Sequence, residues 1–416
     1  RLLEARKIGD QKAIAIVSEN PEGDSEGKMG RRREEIEFTS LSEIKSLTNG
    51  DEEEALGAEE SNGRLTGQRS RVRSQDHSDS SRFLRWDKVA KSSYLNYLLL
   101  ASPFAIISYF ANWGAGPTFI LSLLALIPQA QLLGLFTEQV AFYTNEAIGG
   151  LLNATFGNLT ELIISVVALN KGLLNIVKMS LMGSILSNCL LVMGSAFIVG
   201  GISHKSQRFN IQMASTNSGL LMMCVLAIAF PAVMVETETN RSAQAVLTFS
   251  RLTAFTLLSV YGLLMLFQIK THRHLVEGDR EADEDEDEEE EQFLSWKESV
   301  IWLFIDAVFI SGFSKLLVDS IEGSVKDLGI SKMFIGVILI PIVGNAAEHA
   351  AAVMVAYRGR MELAMGIALG SAVQISLFGI PVVVIAAWIM NRDLDLNFSL
   401  FQTVVLSGSV LTVGLL

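Results

Sequence analysis

Residues 149–172 read GGLLNATFGNLTELIISVVALNKG, and residues 332–356 read KMFIGVILIPIVGNAAEHAAAVMVA. Both stretches are apolar enough to cross a bilayer, yet each carries a glycine, an asparagine and a glutamate near its middle, GNLTE at 157–161 and GNAAE at 344–348. A charged side chain in the centre of a span costs about 2.5–3.5 kcal/mol on insertion scales. Such groups usually line ion pathways, so two of them in matching settings point to function.

The rest of the chain is built around these stretches. Half of the 416 residues are hydrophobic although the first ninety or so are strongly polar. Runs of roughly 17–25 mainly apolar residues are long enough to span the hydrocarbon as helix. Ten occur, near 95–111, 117–136, 148–170, 176–200, 214–235, 245–269, 297–319, 332–357, 362–390 and 397–416. Their apolar character is continuous rather than alternating, and a lipid-facing backbone must satisfy its own hydrogen bonds, so helices are expected and not a barrel. Cys189 and Cys224 both fall inside spans and suggest neither a disulfide framework nor a thiolate metal site.

Residues 1–92 lack a core-forming composition and are expected to be a disordered tail. Arg69, Arg71, Arg73, Arg82, Arg85, Lys88 and Lys91 crowd the approach to the first span and place that tail in the cytosol. Counting spans puts His204, Lys205, Arg208, Arg358 and Arg360 on the cytosolic side, and Glu236 and Glu238 on the other. Lys171 and Lys178 run against the rule, since they fall opposite the cytosol. The net charge of −12 is concentrated in one run, 281–291, where ten of eleven residues are acidic. It reads either as a self-repelling linker between two bundles or as a weak collector of divalent cations.

A single offset of 187 residues lays Gly157, Asn158 and Glu161 on Gly344, Asn345 and Glu348. It also lays Lys171 and Gly172 on Arg358 and Gly359, and Gly183 and Ser184 on Gly370 and Ser371. The chain reads as a duplication. Five spans separate the copies, so matching helices cross in opposite directions, an inverted repeat of the kind that builds binding sites near the membrane midplane. Asn158 and Glu161 are three apart and share a helix face, as do Asn345 and Glu348. Gly157 and Gly344 offer close helix approach, and Pro341 removes a backbone donor just before the second motif. A broken helix beside a carboxylate supplies oxygen ligands to a hard cation. Two carboxylates balance one divalent ion, and each can take a proton in its absence. The competing reading makes them buried acids that hold the bundle by hydrogen bonds. In MGSILSN, 182–188, and LGSAVQI, 369–375, Ser187 and Gln374 are candidate ligands or supports of ligands, while Gly183 and Gly370 suit tight helix packing.

These residues resemble the CAX-type cation/proton exchangers of the calcium/cation antiporter superfamily, with the strongest likeness to the fungal vacuolar Ca2+/H+ exchangers. The likeness is carried by 149–172, 182–188, 332–356 and ALGSAVQISLF at 368–378, and runs from about residue 88 onward. It implies an all-α polytopic membrane protein with a tail over 1–92, a leading helix over 93–113, a first repeat over 114–270, an acidic cytosolic linker over 271–296 and a second repeat over 297–416. In the family a last helix follows, so the second repeat is expected to be incomplete here. The implied activity is exchange of Ca2+, with Mn2+ as a further cation, for H+ across the vacuolar membrane. Glu161 and Glu348 would bind the ions, with Asn158, Asn345, Ser187, Gln374, Gly157 and Gly344 around them. The family's TEE-type motif after the second span reads TEQ here, which keeps Glu138 as a candidate for cytosolic ion entry and puts Gln139 in place of an acid. Lys315 stands where relatives tend to carry an acid, and could pair with Asp319 or repel cations. Beyond the transported Ca2+ and H+, no cofactor, no enzymatic activity and no nucleic-acid partner is expected. The membrane lipid and a second copy of the chain are the expected associations. Two alternatives stay open, a truncated homologue that binds divalent cations without transport, and a Na+/Ca2+ exchanger.

Overall fold

The computed structural model describes residues 93–144, 146–207, 211–237, 242–268 and 292–415, with Val89 and the short stretches 7–8 and 11–12. The chain divides into two compact units, Arg1–Leu84 and Arg85–Leu416. Of the first, a two-residue antiparallel pairing is described, Lys7–Ile8 with Gln11–Lys12. The expected tail therefore lies almost wholly outside the described residues, and the acidic run 281–291 lies entirely outside them.

The described part of the second unit is helical, and each of the ten apolar runs becomes helix. A 3-10 turn, Tyr94–Leu100, leads into α1, Ala101–Phe110. Then come α2, Ala115–Ala141; α3, Glu146–Phe156; and α4, Leu159–Asn170. The next run is α5, Leu174–Leu186, a π-helical stretch Ser187–Val192, and α6, Met193–Ser203. Helices α7, Ile211–Thr237, and α8, Ala243–Leu266, complete the first half. The second half opens with α9, Trp296–Leu328. It continues through α10, Lys332–Phe334, a π-helical stretch Ile335–Leu339, α11, Ile340–Gly344, and α12, Ala346–Tyr357. Last are α13, Met361–Gln374, a π-helical stretch Ile375–Gly379, α14, Ile380–Ile389, and α15, Leu400–Leu415.

Among the described residues six helices are long and apolar enough to cross a membrane, and a seventh is made if Lys332–Gly344 and Ala346–Tyr357, bent by 60°, count as one span. Large apolar side chains lie on the outside, with Phe304 72% and Ile202 81% exposed, an arrangement that suits lipid and not water. One continuous core, including Leu169, Ile185, Ile310, Val343 and Leu377, runs through both halves.

The 187-residue offset reappears in the backbone. Helices α4 and α12 end alike, with Gly172 at φ 76° and Gly359 at φ 85°. In each case the glycine N–H bonds three residues back, and the following N–H bonds five back, Leu173 to Ala168 and Arg360 to Val355. Glycine takes the left-handed conformation that this C-terminal turn requires. The π-helical stretches Ser187–Val192 and Ile375–Gly379 also correspond. Pro341 and Pro381, lacking an N–H, cannot bond the carbonyls of Val337 and Leu377, which favours the wider turns before them.

Glycine roles differ from expectation. At Gly183 a Cβ would collide with the Val337 carbonyl and the Pro341 ring, so α5 does pass tightly over the stretch before the second motif. Gly370, its counterpart, has nothing within 4 Å of a built Cβ and is not a packing glycine. Helix α2 lies antiparallel to α9: the Gly116 N–H donates to Asp327 Oδ2 at 3.1 Å near one end, and Phe136 stacks on Trp302 at 6.3 Å near the other.

Candidate ion-binding site

The GNLTE and GNAAE motifs lie where helices break. Asn158 separates α4 from the end of α3, and Asn345 separates α12 from α11, with backbone angles of −99°, 15° and −90°, 13°. Both asparagines occupy the N-cap, where the side chain ordinarily bonds the first turn of its own helix. Neither does so. Released from capping, each amide reaches into the other half of the chain.

Asn158 Nδ2 donates to Gln374 Oε1 at 2.9 Å, and its Oδ1 accepts from Ser371 Oγ at 3.3 Å. Ser371 Oγ in turn accepts from Asn188 Nδ2 at 2.9 Å. On the other side, Asn345 Nδ2 donates to the Ser184 carbonyl at 3.2 Å. By the 187-residue offset Ser184 is the counterpart of Ser371, so each asparagine meets the same station of the opposite half. Unequal partners, a hydroxyl and an amide against a carbonyl, make the two sides similar but not identical.

Glu161 and Glu348 stand in the first turns of α4 and α12, where helix N-terminal dipoles favour negative charge. Glu161 is 3% exposed and Glu348 is partly buried. The Glu161 carboxylate occupies the space a side chain at Gly344 would need, so this glycine admits the acid and does not serve helix approach. Glu348 holds the matching position in the first turn of α12. Gly157 plays a different part, since a Cβ there would press on the Asn153 carbonyl of its own chain. Both oxygens of Glu161, Oε2 of Glu348, Oδ1 of Asn345 and of Asn188, and the hydroxyls of Ser184 and Ser187 are buried without a hydrogen-bond partner. Buried polar atoms are normally paired. A group of unpaired oxygens that includes two carboxylates is a donor set for a hard cation, which takes six to eight oxygens when it is Ca2+. Among the described residues no three His, Cys, Asp or Glu side chains gather as a metal site, so amides and hydroxyls would complete such a shell.

Of the residues singled out in the sequence, the structure joins Asn158, Gln374 and Asn345 into bonds between the halves and puts Gly344 against Glu161. Ser187 supplies a buried, unpartnered hydroxyl. Glu138 sits on the exposed surface of α2 near its C-terminal end. Its neighbour Gln139 is buried, and its Oε1 accepts from the Phe293 and Leu294 N–H groups at 3.1 and 3.2 Å. The pairing considered for Lys315 and Asp319 does not form: Lys315 is exposed, and Asp319 is paired with Lys171 at 2.6 Å. Asn188, Ser371 and His349 join the polar group without having been singled out as site residues. His349 Nε2 lies 2.8 Å from Ser195 Oγ. Asp306, midway along an apolar run, was also missed. It is 3% exposed and both carboxylate oxygens lack partners, and an acid in a span was the available signal.

The family model described as sodium/calcium exchanger protein matches residues 115–270 and 298–416. The chain is 45% identical over 326 residues to vacuolar cation/proton exchanger 2 of Oryza sativa subsp. japonica, covering 77% of this chain and 75% of that protein. It is 43% identical over 330 residues to the vacuolar calcium ion transporter of Schizosaccharomyces pombe, covering 79% of each. The solved structure of native YfkE superposes with a TM-score of 0.65 at 34% identity, over 77% of this chain and 91% of that one.

Proposed function

Since the chain belongs to the sodium/calcium exchanger protein family, we propose that it is a secondary antiporter of the vacuolar membrane that exchanges Ca2+ for H+, with Mn2+ as a further cation. The similarity to a vacuolar cation/proton exchanger and a vacuolar calcium ion transporter supports the ions and the membrane. YfkE, described as a Ca2+/H+ antiporter protein, supports the same exchange. The observation that carries the reading is the set of unpartnered buried oxygens around Glu161 and Glu348 at two helix breaks.

In this reading the two glutamates carry both ions in turn. With Ca2+ present, two carboxylates cancel its charge and the dipoles of α4 and α12 stabilise them. When Ca2+ leaves, each carboxylate takes a proton, because an unpaired charge away from water is costly. Asn158 and Asn345 bond each half-helix to the opposite half of the chain, which positions the two carboxylates in this state. The 114–270 and 297–416 segments act as inverted repeats rocking about the site, with the tail and the linker in the cytosol.

Glu161→Gln and Glu348→Gln test this in vesicles carrying the protein. Glutamine keeps size and hydrogen bonding but brings neither a carried proton nor a negative charge. Each variant should insert normally and lose Ca2+ uptake driven by a proton gradient by more than about a hundredfold, in the range seen when a group essential to a step is removed. In the parent, apparent Ca2+ affinity should fall as pH drops on the side facing the site, because protons and Ca2+ compete for the same oxygens. Uptake near the parental rate in either variant would make that glutamate structural. Uptake that needs a sodium gradient would replace the proton by Na+.

A further inference from the structure

The two lysines that offend the charge rule, Lys171 and Lys178, have partners in the other half of the molecule. Lys171 follows the last residue of α4, whose first turn holds Glu161. Its Nζ lies 2.6 Å from Asp319 Oδ1 on α9, and Asp319 Oδ2 accepts from the Tyr109 hydroxyl at 3.3 Å. Lys178 is on α5, which carries Ser184 and leads into Ser187. Its Nζ lies 2.9 Å from Asp395 Oδ1 and donates to the Asn397 carbonyl at 3.1 Å. Between them Arg392 donates to the Asn170 carbonyl at 2.8 Å, at the end of α4. All three ties join the corner between α4 and α5 to the second half, at one end of the bundle.

We propose that Lys171 and Lys178 form a latch that closes the exchanger on the luminal face, by holding the outer ends of the two site-bearing helices α4 and α5 against Asp319 and Asp395.

The corresponding corner of the other half carries different groups. The position matching Lys171 is Arg358, which is exposed and forms no ion pair among the described residues. The position matching Lys178 is Met365. His204 lies against Gly359, and Gln207 donates to the Ala356 carbonyl at 3.3 Å. Three charged ties gather at this one end of the bundle, an arrangement that suits a carrier shut on that side. The route being shut is marked by polar groups. Ser165 is four residues from Glu161 on the same face of α4, 1% exposed, with a hydroxyl that has no partner. Asp319, the partner of Lys171, lines a cavity of about 480 Å3 together with Ser108, Tyr109, Thr118 and Ser320. The Asp319 carboxylate beside it raises the Lys171 pKa above its ordinary value.

The inference rests on the antiport reading for its purpose, but its test does not require transport. In a full-length chain with Cys189→Ala and Cys224→Ala, Ser165→Cys reports access to the route. The chain is placed in sealed vesicles with the cytosolic face outward, and a membrane-impermeant thiol reagent is supplied inside or outside. Lys171→Met and Asp319→Asn should each raise the luminal labelling rate at least about fivefold, the lower end of ordinary coupling between states. The exchanged pair Lys171→Asp with Asp319→Lys should return it toward the parent. Lys178→Met repeats the test at the second pair should Lys171→Met fail to insert. Unchanged luminal labelling in the single variants, a rise only from the cytosolic side, or an exchanged pair as reactive as the single variants overturns the latch. Calcium uptake measured alongside separates the two readings. A latch signature in a parent that moves no Ca2+ leaves the latch and removes the antiporter; transport without the signature does the reverse.

Discussion

At the scale of single residues, Gly344 is the most informative position in the second motif. A built Cβ would meet the Glu161 carboxylate, so the first atom of a side chain there competes directly with a proposed ion ligand from the opposite half. Gly344→Ala should therefore cut Ca2+ uptake by at least about tenfold, equivalent to roughly 1.4 kcal/mol at the transport barrier, while leaving insertion and folding in place. Uptake within twofold of the parent would mean that Glu161 can move aside without consequence. The glutamates and asparagines were evident in the sequence because polar residues in a span carry a cost that composition reveals. The role of Gly344 was not, because a glycine that spaces helices and one that admits a distant side chain look the same in one dimension.

Elements show the same division. The ten apolar runs set the helices, and the breaks at the two motifs follow from glycine, asparagine and proline within them. Packing then assigned unequal work to equivalent residues. Gly183 lets α5 cross against Val337 and Pro341, while Gly370 faces open space. Gly183→Ala should lower the thermal midpoint in detergent, with a cost of about 1–3 kcal/mol typical of overpacking. Gly370→Ala should leave it unchanged or raise it slightly, since alanine is the better helix former by up to about 1 kcal/mol. Equal midpoints for the two variants would show that the crossing relaxes more easily than its geometry implies.

For the molecule as a whole, the two halves depend on a few polar ties at the ends of the bundle. Gln139 is one. Its carbonyl takes up the N–H groups of Phe293 and Leu294, where the chain returns from the linker, and Tyr143 donates to the Leu294 carbonyl at 2.7 Å. Gln139→Leu strands two N–H groups at a largely dry contact, at about 1–3 kcal/mol each, and should destabilise the protein. Gln139→Glu keeps the acceptor and should hold the midpoint close to the parent. If Gln139→Leu melts with the parent, water replaces the bond and Gln139 is not a tie.

The sequence by itself determined which stretches become helix, the breaks at the two motifs, the internal offset and the acids Glu161 and Glu348 within spans. Each of these is written in local composition: length against a bilayer, a backbone donor missing at proline, a charge where only apolar residues are cheap. Tertiary structure alone decided which oxygens remain unpaired, which glycine yields space to which side chain, and which carboxylates Lys171 and Lys178 meet. Their partners, Asp319 and Asp395, are 148 and 217 residues away, at distances of 2.6 and 2.9 Å. An ion pair is set by separation in space, and no pattern along a chain records that separation until the helices have packed.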